Sequence, residues 1–176
     1  PTVTYPLANT TPSRYITIDR ITKVYTYDGC KVDSARFSAS VGAPLELSLN
    51  VIGKTETVDV AGNFPVLSLD DSTQPFIFSD LAFTVGGTTY KGTNFDLTIS
   101  NMLDKERFLN STTISEVNEL DRSIAFRTSV PAGDAYAIES AMGAAGLAVV
   151  ATFTNGSAVL SFSLPKVVFP KHSPST

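Results

Sequence analysis

The sequence predicts a mainly β protein, a β-sandwich or partly closed barrel carrying one short α-helix. Three observations predict it. Residues 30–54 (CKVDSARFSASVGAPLELSLNVIGK) alternate strictly on either side of a Gly/Pro turn. A period of two is what a pleated strand with one dry face requires. Turn dipeptides at Asp28-Gly29, Gly86-Gly87 and Asn155-Gly156 punctuate runs rich in β-branched and aromatic residues. Only one stretch, near 135–145, carries a helical stripe with start and stop signals.

Residues 1–12 (PTVTYPLANTTP) read as an extended lead-in, 13–169 as one β domain, and 170–176 (PKHSPST) as a mobile tail. Residues 13–27 set Tyr15 and Thr17 against Ile16 and Ile18, which predicts a first strand ending at the Asp28-Gly29 turn. In the hairpin that follows, Ala35, Phe37, Ala39 and Val41 are expected inward, with Arg36, Ser38 and Ser40 outward. Its second strand puts Leu45, Leu47, Leu49 and Val51 inward and Glu46, Ser48 and Asn50 outward. Residues 54–61 continue as strand, and 62–74, with Pro65 among turn formers, read as a loop. Residues 76–85 form a strand interrupted near Ser79-Asp80, returning through 88–91, and 93–101 alternate through Phe95, Leu97 and Ile99. Strand character resumes over 122–130, with Ile124 and Phe126 inward. The helix has Asp134 as N-cap, a stripe of Ile138, Ala141, Met142 and Ala145, and Gly146 as its stop. Residues 147–154 and 157–169 close the chain as a hairpin.

Composition narrows the function. The net charge is −4, with 17% charged residues, so the chain lacks the clustered Lys and Arg that grip a phosphate backbone. One cysteine, Cys30, permits neither an intrachain disulfide nor a thiolate metal site. No apolar run reaches the roughly 18 residues of a membrane span, and no signal-peptide pattern opens the chain. The start at Pro1 reads as a processed product or a fragment of a longer protein, made in a reducing cytoplasm. The single histidine, His172, lies in the Pro/Ser-rich tail without a group to orient it, so no catalytic triad is available. Asp70-Asp71 and the pair Asp104 and Glu106 read as solvated turn formers, and Cys30 as a small core residue. Asn9, Asn110 and Asn155 match the glycosylation tripeptide without a secretory context. The expectation is a protein with no catalytic residues, metal or cofactor.

Residues 102–121 (MLDKERFLNSTTISEVNELD) form the one long polar connection. Loops of that length in a compact domain are usually functional. Asp104 and Arg107 give it charge, while Phe108, Leu109, Ile114, Val117 and Leu120 are apolar residues that a loop cannot easily bury against itself. These seven are the candidate contacts between subunits or rings.

Four stretches together resemble the tail tube proteins of long-tailed bacteriophages (siphophages). They are YTYDGCKVDSARFSASVGAPLELSLNVIGK (25–54), PFIFSDLAFTVGG (75–87) running into FDLTISNMLDKERFLNS (95–111), DRSIAFRTSV (121–130) and FTNGSAVLSFSLPKVVFP (153–170). Each alone is a generic β pattern, but their order follows the family from residue 15 onward. The relatives carry a substantial additional N-terminal region, which fits a truncated chain here.

The resemblance implies a structural virion protein whose subunits form stacked, hexameric rings. These make a conduit for DNA ejection, with tape measure and tail terminator proteins as further partners and no membrane. The subunit would be made in the host bacterial cytoplasm and reside in the phage tail. On this reading the polar side chains of Arg36, Ser38, Ser40, Glu46, Ser48 and Asn50 line a weakly acidic lumen through which DNA slides without specific binding. The alternative is a monomeric immunoglobulin-like binding or decoration module, which would group exposed aromatics on loops. Phe37, Phe83, Phe95, Phe126 and Phe162 instead fall within strands.

Overall fold

A computed structural model describes residues 3, 4, 6, 10–60, 74–106, 114, 117–142 and 146–169. Its strands form two open antiparallel sheets. The larger has six strands: β1 (Arg14–Asp19), β2 (Lys23–Ser40), β3 (Glu46–Ile52), β4 (Thr55–Val60), β7 (Asn94–Ser100) and β8 (Ser123–Arg127). Its spine is β2, which pairs with β1, β3, β4 and β7, while β8 is added on β7. The smaller runs in the order β10 (Ala158–Val167), β9 (Leu147–Asn155), β5 (Leu81–Val85), β6 (Thr88–Thr89). One helix, α1 (Ala132–Ala141), precedes β9, and a 3-10 turn (Phe78–Asp80) precedes β5.

The chain divides into two compact units. The first comprises Pro1–Arg36, Ser48–Leu69 and Thr98–Ala125, the second Phe37–Leu47, Asp70–Leu97 and Phe126–Thr176. The second unit is the sandwich. Ala39, Phe95 and Leu97 from the larger sheet share one buried cluster with Phe83, Val85, Val149, Ala151 and Phe153 from the smaller. Phe153, at 0% exposure, is its centre. Its ring meets Phe95 edge-on at 5.4 Å, and Phe37 meets Phe162 at 4.7 Å. Such aromatic pairs add about 0.5–1.5 kcal/mol each beyond area burial. The five phenylalanines expected in the core all belong to this cluster or pack against it.

The first strand departs from expectation. The chain turns at Arg20–Thr22, and β2 then runs straight through Asp28-Gly29. Asp19 makes the turn, because its Oδ1 accepts the Ile21 N–H at 2.8 Å, supplying locally what Asn-Gly supplies in commoner hairpins. Gly29, at φ 65°, is instead an irregularity within β2, where a Cβ would stand 2.8 Å from Lys54 Cβ.

Other elements differ in detail. Helix α1 begins three residues early, after Pro131, so Asp134 lies in its first turn and not at the cap. Only Ile138 of the expected stripe is buried; Ala141 is exposed, Met142 is half-buried and ends the helix, and Ala145 lies outside the described residues. The loop expected at 62–74 lies outside them too, except Gln74, as does the tail with His172. Ile124, expected inward, is exposed on β8, which lies at the border of its sheet.

Candidate assembly surface

The first unit is tied together by two ionic contacts that rise from one face of β2, one anchored on the buried Asp33 and one on the half-buried Lys31. Asp33, almost fully buried, accepts the Leu103 N–H at 3.0 Å and the Lys105 ammonium at 2.8 Å. Two residues earlier on the same face, Lys31 Nζ donates to the Val117 carbonyl at 2.7 Å and to Glu119 Oε1 at 3.3 Å. Glu119 Oε1 also accepts the Thr11 N–H at 2.6 Å, so the lead-in is fastened at the same point. Burial raises the Glu119 carboxyl, but the Thr11 and Lys31 hydrogen bonds outweigh it and hold the group at about 2. Burial likewise opposes ionisation of Asp33, and the Lys105 and Leu103 bonds bring it below the usual carboxylate range.

These contacts decide the state of the long connection. Leu103 bridges to Glu119, and Asp104 N–H donates to the Asn118 carbonyl at 2.8 Å, so the segment closes on itself at its base. Leu103, Ile114 and Val117 then form a small buried cluster with Ile52 packed against it. Ile114 and Val117, expected as partner contacts, are therefore committed inside the unit. Leu120 is exposed and Asp104 half-buried. Arg107, Phe108 and Leu109 lie outside the described residues.

The hairpin residues are also redistributed. Asn50 Nδ2 donates to Asp33 Oδ2 at 3.4 Å, so Asn50 shares a face with Asp33 and the odd-numbered positions of β2 beyond Gly29. By alternation Glu46, Ser48 and Asn50 fall on one face of the hairpin, and Arg36, Ser38 and Ser40 on the other. Glu46, Ser48, Asn50, Arg36 and Ser40 are exposed and Ser38 is half-buried. Phe37 and Ala39 pack inward as expected. Leu47, Leu49 and Val41 do not: Leu47 is 52% exposed and Leu49 53%. Leu47 and Leu49 fail because the face of β3 that carries them is not the one that Asp33 and Phe37 turn to the interior, and Val41 lies in the turn beyond the end of β2.

Exposed apolar side chains continue through the first unit. Ile18, Tyr25 and Val58 lie directly opposite one another across β1, β2 and β4, as do Ile16, Tyr27 and Glu56. Directly paired residues point to one face. On it Ile16, Ile18 and Val58 are exposed, as is Val60 opposite Lys23. The opposite face holds the polar row Thr17, Thr26 and Thr57. The apolar side contains a groove of about 530 Å³ lined by Ile16, Ile18, Tyr27, Val51, Lys54 and Glu56 among others. An apolar face of this kind marks a surface that meets a partner.

The border of the sheet has the same character. Among the described residues β3 and β4 pair only with β2, so no described strand closes their outer border. Neither strand contains proline or lysine, the residues that commonly blunt an edge. By contrast β10, the border of the smaller sheet, carries Pro165 and Lys166. The exposed leucines run against the expectation that every regular apolar position of the hairpin belongs to the protomer's own core.

Among the described residues no group of three His, Cys, Asp or Glu could hold a metal ion, and no helix is long and apolar enough to cross a membrane. Cys30 is buried, its thiol pushed up by burial. A family model described as phage tail tube protein matches residues 2–175. No curated protein matches the chain.

Proposed function

The chain belongs to the phage tail tube protein family, and from that premise we propose that it is the major tube subunit of a siphophage, its copies joined into stacked, hexameric rings that conduct DNA during ejection. The role is structural, without turnover or cofactor, and its partners are its own copies together with the tape measure and tail terminator proteins. Synthesis takes place in the host cytoplasm.

The observation that carries this reading is the coincidence of a β3–β4 border that no described strand closes with exposed apolar side chains on those strands. A ring seam along this border satisfies both at once. Backbone pairing with the next copy closes the border, and the neighbour covers Leu47, Leu49, Val58 and Val60. Arg36, Ser38 and Ser40, small or flexible polar groups turned away from the core, line the channel. Glu46, Ser48 and Asn50 lie along the seam, and Asp104 and Leu120 meet the adjoining ring.

Negative-stain microscopy of the purified chain at rising concentration tests the assembly, with hollow tubes of six-fold rings expected. A chain that stays monomeric throughout defeats it. Phage carrying Ser38→Lys and Ser40→Lys are expected to assemble tails yet eject DNA slowly, and normal infection counts against the channel face.

A further inference from the structure

Among the described residues from 3 to 13, Thr11 alone is not exposed. Its N–H donates to Glu119 Oε1 at 2.6 Å, and the same oxygen takes the Lys31 ammonium at 3.3 Å. The acceptor is itself conditional on the long connection. Glu119 stands directly opposite Leu103 in the bridge that closes the base of that connection. On either side of the bridge, Asp104 N–H bonds the Asn118 carbonyl at 2.8 Å and Leu120 N–H the Met102 carbonyl at 3.2 Å. Directly opposed residues point to one face, so the pairing that buries Leu103, at 4% exposure, also turns Glu119 inward. Opening the base takes away the fixed direction of the carboxylate that Thr11 needs.

We propose that docking of the lead-in and closure of the 102–120 base form one coupled switch, either closed with Thr11 on Glu119 or open with the lead-in released. Lys31 is the joint. Its Nζ reaches the Val117 carbonyl at 2.7 Å as well as the shared oxygen, so β2 grips the segment on both sides of Asn118. The coupling is reciprocal: whatever opens the base releases the lead-in, and removing the lead-in loosens the base by the same factor. Its use in assembly rests on the tube-subunit reading, in which a ring contact at Asp104 and Leu120 that opens the base also frees the lead-in. The coupling itself belongs to one protomer.

The test is amide hydrogen exchange on the purified full chain, at a concentration where it is unassembled. Asp33 bonds Leu103, Lys105 and Asn50. Asp33→Ala should nevertheless speed exchange of the remote Thr11 amide about fivefold, the lower end of ordinary coupling energies. Thr11→Pro removes the donor from the exposed lead-in and should speed the Asp104 and Leu120 amides by a similar factor. Amides of β9, in the second unit, should keep the parent rate in both variants. Remote amides that keep the parent rate in either variant overturn the switch. An acceleration that β9 shares equally reports general destabilisation and overturns it too. Either failure leaves the tube-subunit reading intact, whereas a parent chain that never assembles defeats that reading and not the coupling.

Discussion

Asn50 reaches across the hairpin to Asp33, with Nδ2 3.4 Å from Oδ2, and the contact fixes which way β3 faces. Asp33 stands on the side of β2 that continues through Phe37 and Ala39 into the core. Leu47 and Leu49 must therefore point the other way, with Arg36. An alternating apolar strand has been turned outward in the protomer, where only a partner can cover it.

Leu47→Asp accordingly leaves the isolated chain folded. A half-exposed position loses little by gaining a charge, so the urea midpoint should correspond to a change within about 0.5 kcal/mol. Phe153→Ala, at a fully buried ring, is expected to cost about 3–5 kcal/mol in the same assay. The leucine variant should fail to build tubes. A large stability loss at Leu47 would show that its side chain is covered within the protomer.

Asp33→Ala strips the acceptor from the Leu103 N–H and the Lys105 ammonium at a buried site. Leaving a buried donor unpaired costs about 1–3 kcal/mol. The loss should appear in denaturant unfolding, with faster hydrogen exchange at the Leu103 amide. An unchanged exchange rate would mean that the 101–106 segment is held by other contacts.

The fold class and the sandwich core were legible because β9, β5 and β7 bury every second residue, and alternation states this directly. Leu147, Val149, Ala151 and Phe153 show it plainly. The turn at Arg20–Thr22 was not legible. It contains no glycine, asparagine or proline, and its formation depends on a carboxylate two residues upstream of Ile21. The facing of β3 was hidden for a different reason. Periodicity separates two faces but does not say which one is dry, and only the Asn50–Asp33 contact decides it. Ile114 and Val117 were misjudged because their cover, Leu103 and Ile52, comes from a distant strand and from the loop's own base.

Acid should loosen the first unit. The Glu119 carboxyl falls from an ordinary 4.5 to about 2 on folding, so its contribution is full above pH 4.5 and is lost as pH drops toward 2. Asp33, lowered in the same direction, adds to the effect. The Glu119→Gln variant should be less stable than the parent at pH 7 and converge on it near pH 2, seen in urea midpoints across that range. Parallel curves would exclude Glu119 as the titrating group.

Ile21→Asn tests the strain held in the β1–β2 turn. The left-handed conformation at φ 68° costs a β-carbon side chain about 1–2 kcal/mol, and asparagine tolerates it better through local hydrogen bonding. Almost no packing is lost, because the isoleucine is exposed in the protomer, and the Asp19 bond goes to the backbone and survives. A gain of about 1 kcal/mol raises the melting temperature by roughly 2–4 °C in a chain of this size. A melting temperature that falls would mean that the Ile21 side chain already contributes packing within its own chain.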